Sequence, residues 1–163
     1  MSRPSAGLLL FRRRGDALEV VLVHPGGPFW ARKDSGAWSI PKGEYEPGDD
    51  PLEAAQREFE EETGCRVAGT FLPLAPVRQS SGKVISAWAV EGDLDVSSIR
   101  SNTFKLEWPP RSGTYQEFPE VDRAAWFSLD LAAEKIVPGQ RRLLDQVPRV
   151  VGSAAQRGEH DRA

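Results

Sequence analysis

The order of periodic segments predicts a single α+β domain, and three observations carry that reading. Two apolar, strand-like runs joined by a tight turn open the chain; one well-bounded acidic helix follows; the second half is a series of strand-like runs ending in short helical pieces. At 163 residues the chain has the size of one ordinary domain, enough to bury a continuous core without staples. Residues 1–150 are assigned to this domain, and residues 151–163 to a polar C-terminal tail that is expected to fray.

The elements follow in order. Residues 6–11 and 18–23 are mostly apolar and flank Gly15-Asp16, the pattern of two buried strands around a turn. The first apolar run is broken by Arg12, Arg13 and Arg14, too early for a signal peptide or a membrane span. His24-Pro25-Gly26-Gly27-Pro28 ends the second strand, where a histidine is expected to be structural or exposed rather than catalytic. A loop carrying Phe29, Trp30, Arg32 and Lys33 leads to a short segment at 37–40. Asp50 can cap a helix, Pro51 suits its first position and Gly64 ends it. Leu52, Ala55, Phe59 and Thr63 recur at helical spacing and are expected to face the sheet. Further strands are expected at 67–74, 84–90, 103–108 and 124–127, with a Pro- and Gly-rich loop at 109–119, and helical pieces at 129–135 and 140–147. The sequence shows no internal repeat.

Composition narrows the function classes. With 39% hydrophobic and 28% charged residues the chain is far from the disordered extreme. A net charge of −3, with the 21 basic residues spread along the chain, argues against a long nucleic-acid footprint and leaves a small phosphorylated ligand as the expected partner. Cys65 is the only cysteine, so an internal disulfide and a multi-cysteine zinc site are excluded, and cytoplasm is the default compartment. The oligomeric state is left open.

The chemistry lies in the acidic helix. Glu58, Glu61 and Glu62 stand at i, i+3 and i+4, on one helix face, where their mutual repulsion is destabilising unless a cation relieves it. Carboxylate oxygens suit Mg2+, or Mn2+, better than softer metals, and Mg2+ typically shares substrate phosphate oxygens. A diphosphate repels an incoming nucleophile, so cations that neutralise and align it supply most of the catalysis of its hydrolysis. The alternative reading of such a run is an ordinary solvated helix face.

The wider spacing separates these readings. Gly43, Asp49, Arg57-Glu58-Phe59-Glu60-Glu61-Glu62-Thr63-Gly64-Cys65 resembles the box of the Nudix family: Gly, five residues, Glu, seven residues, then Arg-Glu-aliphatic-any-Glu-Glu-any-Gly-aliphatic. Asp49 stands where Glu is usual, and Cys65 where an aliphatic residue is usual. The resemblance implies a mixed sheet sandwiched between helices in an α/β/α arrangement, and a hydrolase that cuts diphosphate linkages with a divalent cation. It implies that Glu58 and Glu62 are metal ligands, that Glu61 is a further ligand or orients the water, and that the Lys42 carbonyl is a backbone ligand. Arg57 would orient the carboxylates, and Asp49 would hold Arg57 less directly than the longer Glu does. Family members often recruit a carboxylate from outside the box, for which Glu117 and Glu120 are candidates and Glu120 is preferred.

Substrate contacts are assigned to Phe29 and Trp30, whose rings could stack on a base, and to Lys42 and Lys83, whose charge could meet phosphates. Trp88 and Trp126 fall in strands and are expected to be structural. The approach Trp38-Ser39-Ile40-Pro41-Lys42-Gly43, with Glu107-Trp108-Pro109-Pro110 and Phe118-Pro119-Glu120, resembles a bacterial subgroup described as nucleoside triphosphate pyrophosphohydrolases. Nucleoside triphosphates and dinucleoside polyphosphates are therefore placed ahead of ADP-ribose or nucleotide sugars as substrates. A non-catalytic nucleotide-binding module of the same fold is the competing class, and three crowded carboxylates argue against it.

Overall fold

The computed structural model describes residues 3–161, with side chains described as far as residue 152. Strands β1 (Ser5–Arg14) and β2 (Ala17–Pro25) form the opening antiparallel pair around the left-handed Gly15. A short β3 (Lys42–Glu44) pairs with the start of β1. Helix α1 (Pro51–Thr63) follows, then β4 (Leu72–Pro73), β5 (Val77–Arg78), β6 (Val84–Glu91), β7 (Thr103–Glu107), β8 (Tyr115–Pro119) and β9 (Val121–Ser128). Helices α2 (Leu129–Lys135) and α3 (Arg141–Asp161) close the chain.

Seven strands make one mixed sheet, with β4-β6-β1-β2-β9 as its path, β3 on β1 and β5 on β6; β1 and β6 run parallel. Alternation along the central strands sends side chains to opposite faces. Ala6, Leu8 and Leu10 pack with Ala54, Ala55 and Phe59 of α1. Leu9, Phe11, Val20 and Leu22 pack with Ala132 of α2 and with Leu143 and Val147 of α3. The result is the expected α/β/α sandwich, in which each fully buried Leu or Phe contributes on the order of 1.5–3 kcal/mol.

Four segments differ from the sequence reading. Of the strand expected at 67–74 only Leu72–Pro73 pairs, since Gly69 interrupts the segment before it and Pro73 has no N–H with which to extend the ladder. The loop expected at 109–119 contains β8, which forms a separate two-stranded ribbon with β7. Its exposed, polar faces hide it from a hydrophobic pattern, and only Phe104 and Phe118 mark its packed side, with ring centroids 6.1 Å apart. Strand β3 is too short to register as a period. Helix α3 continues past the expected tail boundary, since Leu144, Val147 and Val151 extend one apolar stripe at helical spacing and Val151 is buried.

Candidate active site

Helix α1 delivers the acidic residues because its ends are well specified. The Asp50 carboxylate accepts from Glu53 N, Pro51 occupies the first turn, and Gly64 adopts φ 77° with its N–H donating to Glu60 O at 2.7 Å. Phe59 and Thr63 face the sheet, which turns Glu58, Glu61 and Glu62 toward β3 and the segment before β9. Gly43 leaves room for Glu58: a β-carbon at this position would come within 2.1 Å of the Glu58 carboxylate, which would have to move aside. The Lys42 N–H donates to Glu62 Oε2 at 3.1 Å. Arg57 Nη2 lies 3.5 Å from Glu58 Oε1, so the arginine does meet the carboxylate it is expected to orient. Asp49 instead accepts from Glu46 N at 3.2 Å and closes the turn at residues 46–49.

Glu120 sits between β8 and β9, outside any loop proper, and backbone bonds fix its place. Asn102 N–H donates to Glu61 O, Glu120 N–H to Asn102 O, and Gly26 N–H to Glu120 O, each within 2.9 Å. This relay ties the end of α1 to the start of β9 and sets Glu120 near Glu61. Glu117, the other candidate, lies in β8 with an exposed side chain within 3.4 Å of Thr103 Oγ1.

The charges at this place are out of balance. Burial pushes the Glu62 carboxyl up to about 8, with Glu58 and Glu120 adding to it and the Lys42 amide and ammonium opposing. Glu58 is raised by burial and by the Glu61 charge, against the pull of Arg57. Partial burial and then Glu61 raise Glu120, although it is exposed on the rim. Lys42 moves the other way, lowered by burial and by neighbouring Lys83. Lys83 is itself paired to Glu44 at 2.7 Å. Crowded carboxyls with an oxygen-only donor set fit a hard divalent cation. Among the described residues no three His, Cys, Asp or Glu side chains are arranged so that they alone hold a metal ion.

A cleft of about 230 Å³ opens beside these carboxyls. Lys42, Glu62 and Glu120 line one end, and Trp30, Val121 and Val137 are among its apolar walls. The volume is below that of pockets for whole drug-sized ligands, so it accommodates part of a nucleotide. Phe29 lies outside the lining, 60% exposed and edge-on to Trp108 at 5.4 Å. Lys83 and Arg57 also lie outside it. Trp88 and Trp126 pack on the α1 side of the sheet, as expected of structural residues.

Gln79 and Gln140 line the cleft without having been singled out as site residues by the sequence. Gln140 is fully buried, its Oε1 accepting from Ile40 N at 3.1 Å and its Nε2 donating to Ser39 Oγ at 3.0 Å. A partner a hundred residues away cannot be read from local pattern.

Comparison with known proteins agrees with the geometry. The RNA pyrophosphohydrolase of Brucella anthropi is 30% identical over 165 residues, covering 89% of this chain and 86% of the relative. That of Rhizobium meliloti is 28% identical over 155 residues, covering 89% and 90%. The Ap4A hydrolase of C. elegans, solved in a binary complex, superposes with a TM-score of 0.64 at 20% identity, covering 91% of this chain and 98% of that one. The NUDIX domain of Shewanella oneidensis NrtR, solved with ADP ribose, gives 0.60 at 17% identity, covering 91% and 88%; at these identities the two structures speak for the fold. The NUDIX domain model matches residues 1–147, a span that contains the acidic helix, Gly43, Glu120 and nearly the whole sheet sandwich, and the chain therefore belongs to the NUDIX domain family.

Proposed function

We propose that the chain is a Mg2+-dependent pyrophosphohydrolase that cuts a diphosphate linkage in a nucleoside polyphosphate. One observation carries this reading: Glu62 and Glu120 line a cleft that also offers the Lys42 ammonium and the Trp30 ring, with the Glu58 and Glu61 carboxyls crowded beside them. Mn2+ could replace Mg2+, since both prefer oxygen ligands. When bound, the cation neutralises phosphate oxygens and activates water.

The protein's own groups do the rest. Glu58 and Glu62 would hold the cation together with the Lys42 carbonyl, Glu61 would be a further ligand or orient the water, and Arg57 keeps Glu58 in place. Glu120 accepts the proton of the attacking water, and its raised carboxyl pKa makes it a better base than an ordinary glutamate. Lys42 meets the phosphates, while Lys83 must leave Glu44 to do so. Trp30 flanks the nucleoside, with Phe29 and its Trp108 contact on the outer rim. The cytoplasm is the proposed compartment, consistent with the free Cys65, and no described helix is long and apolar enough to cross a membrane.

The relatives named RNA pyrophosphohydrolase support a second reading, in which the same triphosphate is carried on the 5′ end of an RNA. A panel of nucleoside triphosphates, diadenosine tetraphosphate, ADP-ribose and a 5′-triphosphorylated oligoribonucleotide, assayed with Mg2+ in isotopically labelled water, separates the readings. The labelled product identifies the phosphorus attacked. Cleavage confined to the RNA would replace the first reading by the second, and no cleavage of any diphosphate would end both.

A further inference from the structure

His24, the penultimate residue of β2, is fully buried and takes no part in the chemistry above. Its Nδ1 lies 2.9 Å from Asp122 Oδ1 on β9, and its Nε2 lies 2.6 Å from the Lys33 carbonyl oxygen. The ring packs edge-on against Trp38 at 5.1 Å. One side chain thus joins β2, β9 two residues beyond Glu120, and the far end of the loop at residues 26–33 that carries Trp30.

Within the loop, Trp30 N–H donates to Gly27 O and Lys33 N–H to Trp30 O. The Lys33 ammonium lies over the Trp30 ring, and Phe29 meets Trp108 edge-on. His24 is what ties the far end of the loop to β9. The β2–β9 register shifts between His24 and Pro25, which turns the chain out of the sheet. At its start Gly26 donates to the Glu120 carbonyl, and a β-carbon there would overlap the Pro119 carbonyl. Beyond that point residues 29–35 are exposed, so no apolar core orders them. Past Lys33 the chain is held by Asp34, which accepts from Trp38 Nε1 at 2.8 Å and pairs with Lys135; the Arg123 guanidinium lies over the Trp38 ring. Both oxygens facing His24 are acceptors. The two ring nitrogens reach both oxygens at once, and a shorter amide side chain cannot span them.

We propose that His24 is a positioning residue for the substrate: with Asp122 it latches the loop so that Trp30 stands across the cleft from Glu120. This rests on the proposed role of Trp30 as a wall of the nucleoside site. His24 is not among the cleft's lining residues, so it acts through the loop.

A double-mutant cycle tests the latch, using whichever compound of the panel the wild type cleaves. His24→Asn is expected to raise KM about tenfold while kcat stays within about twofold, because Glu58, Glu61 and Glu62 lie on α1 and Glu120 keeps its own backbone bond to Asn102. In a Trp30→Ala background the same substitution is expected to change KM by less than about twofold, the signature of coupling. An equal KM change in both backgrounds, or a fall in kcat at constant KM, overturns the proposal. Asp122→Asn keeps the shape of its site and is expected to shift KM in the same direction, which decides the matter if His24→Asn does not fold. Amide exchange provides a readout that needs no turnover: residues 27–36 are expected to exchange faster in either variant, with α1 unchanged. Unaltered loop exchange overturns the latch. Faster loop exchange in a protein whose wild type cleaves nothing upholds the latch and overturns the proposed function.

Discussion

Each carboxylate of the site has its own environment, and the individual residues are separable by experiment. Glu120→Gln is expected to lower kcat by about 10²-fold or more under saturating Mg2+, the effect of removing a general base; near wild-type turnover would take Glu120 out of the mechanism. Glu62 has a measurable consequence without any substrate. Its carboxyl is raised from 4.5 to about 8 in the fold, so between those values the folded chain holds a proton that the unfolded chain releases. Stability from this group is therefore complete below about pH 4.5 and is lost as pH rises through about 8. Melting curves of the metal-free protein are expected to decline across this window, and less steeply for Glu62→Gln; equal slopes would contradict the assignment. Glu58, Glu61, Glu62 and Arg57 were legible as a group because their spacing lies within one helix. Glu120 was legible only as a candidate, since a backbone relay through Asn102 and Gly26, distant in sequence, is what brings it to Glu61.

Among the elements, α1 is the one whose local signals and tertiary role agree most fully. Its cap, first-turn proline and terminal glycine are all used as the residue types suggest. Asp50→Ala is expected to cost about 1 kcal/mol in denaturant unfolding through loss of the cap, with Mg2+-saturated kcat unchanged, because the cap lies two helical turns from Glu58. Gly43→Ala is the complementary case on β3: the added methyl group displaces the Glu58 carboxylate, so calorimetry is expected to show loss of divalent-cation binding while far-UV circular dichroism is retained. Cation binding equal to wild type would show that Glu58 can move aside without loss. Strand β8 shows the opposite relation between sequence and element. Its polar, turn-rich sequence resembles a loop, and it is a strand because β7 supplies its hydrogen bonds.

At the scale of the whole molecule, two helical layers on one mixed sheet couple the site to global stability. Leu143 is fully buried between α3 and the sheet, and Leu143→Ala is expected to destabilise the fold by about 2–5 kcal/mol while leaving the cation affinity of the folded protein unaltered. Conversely, Mg2+ at a hundred times its Kd should add about 2.7 kcal/mol to the wild type, and nothing measurable to a Glu58→Gln, Glu62→Gln double variant; equal stabilisation of both would place the cation elsewhere. The sequence by itself determined the class of fold and the acidic helix, because strand alternation, helix caps and carboxylate spacing are local and repeat on the scale of a few residues, and the resemblance of its box to the Nudix family implied the reaction class. Only the tertiary structure placed Glu120 rather than Glu117 beside Glu61, Trp30 rather than Phe29 in the cleft wall, Gln140 against Ser39 and Ile40, and His24 between Asp122 and Lys33. Those contacts span up to a hundred residues of chain, and the sheet that brings them together is held by burial, which is indifferent to sequence order.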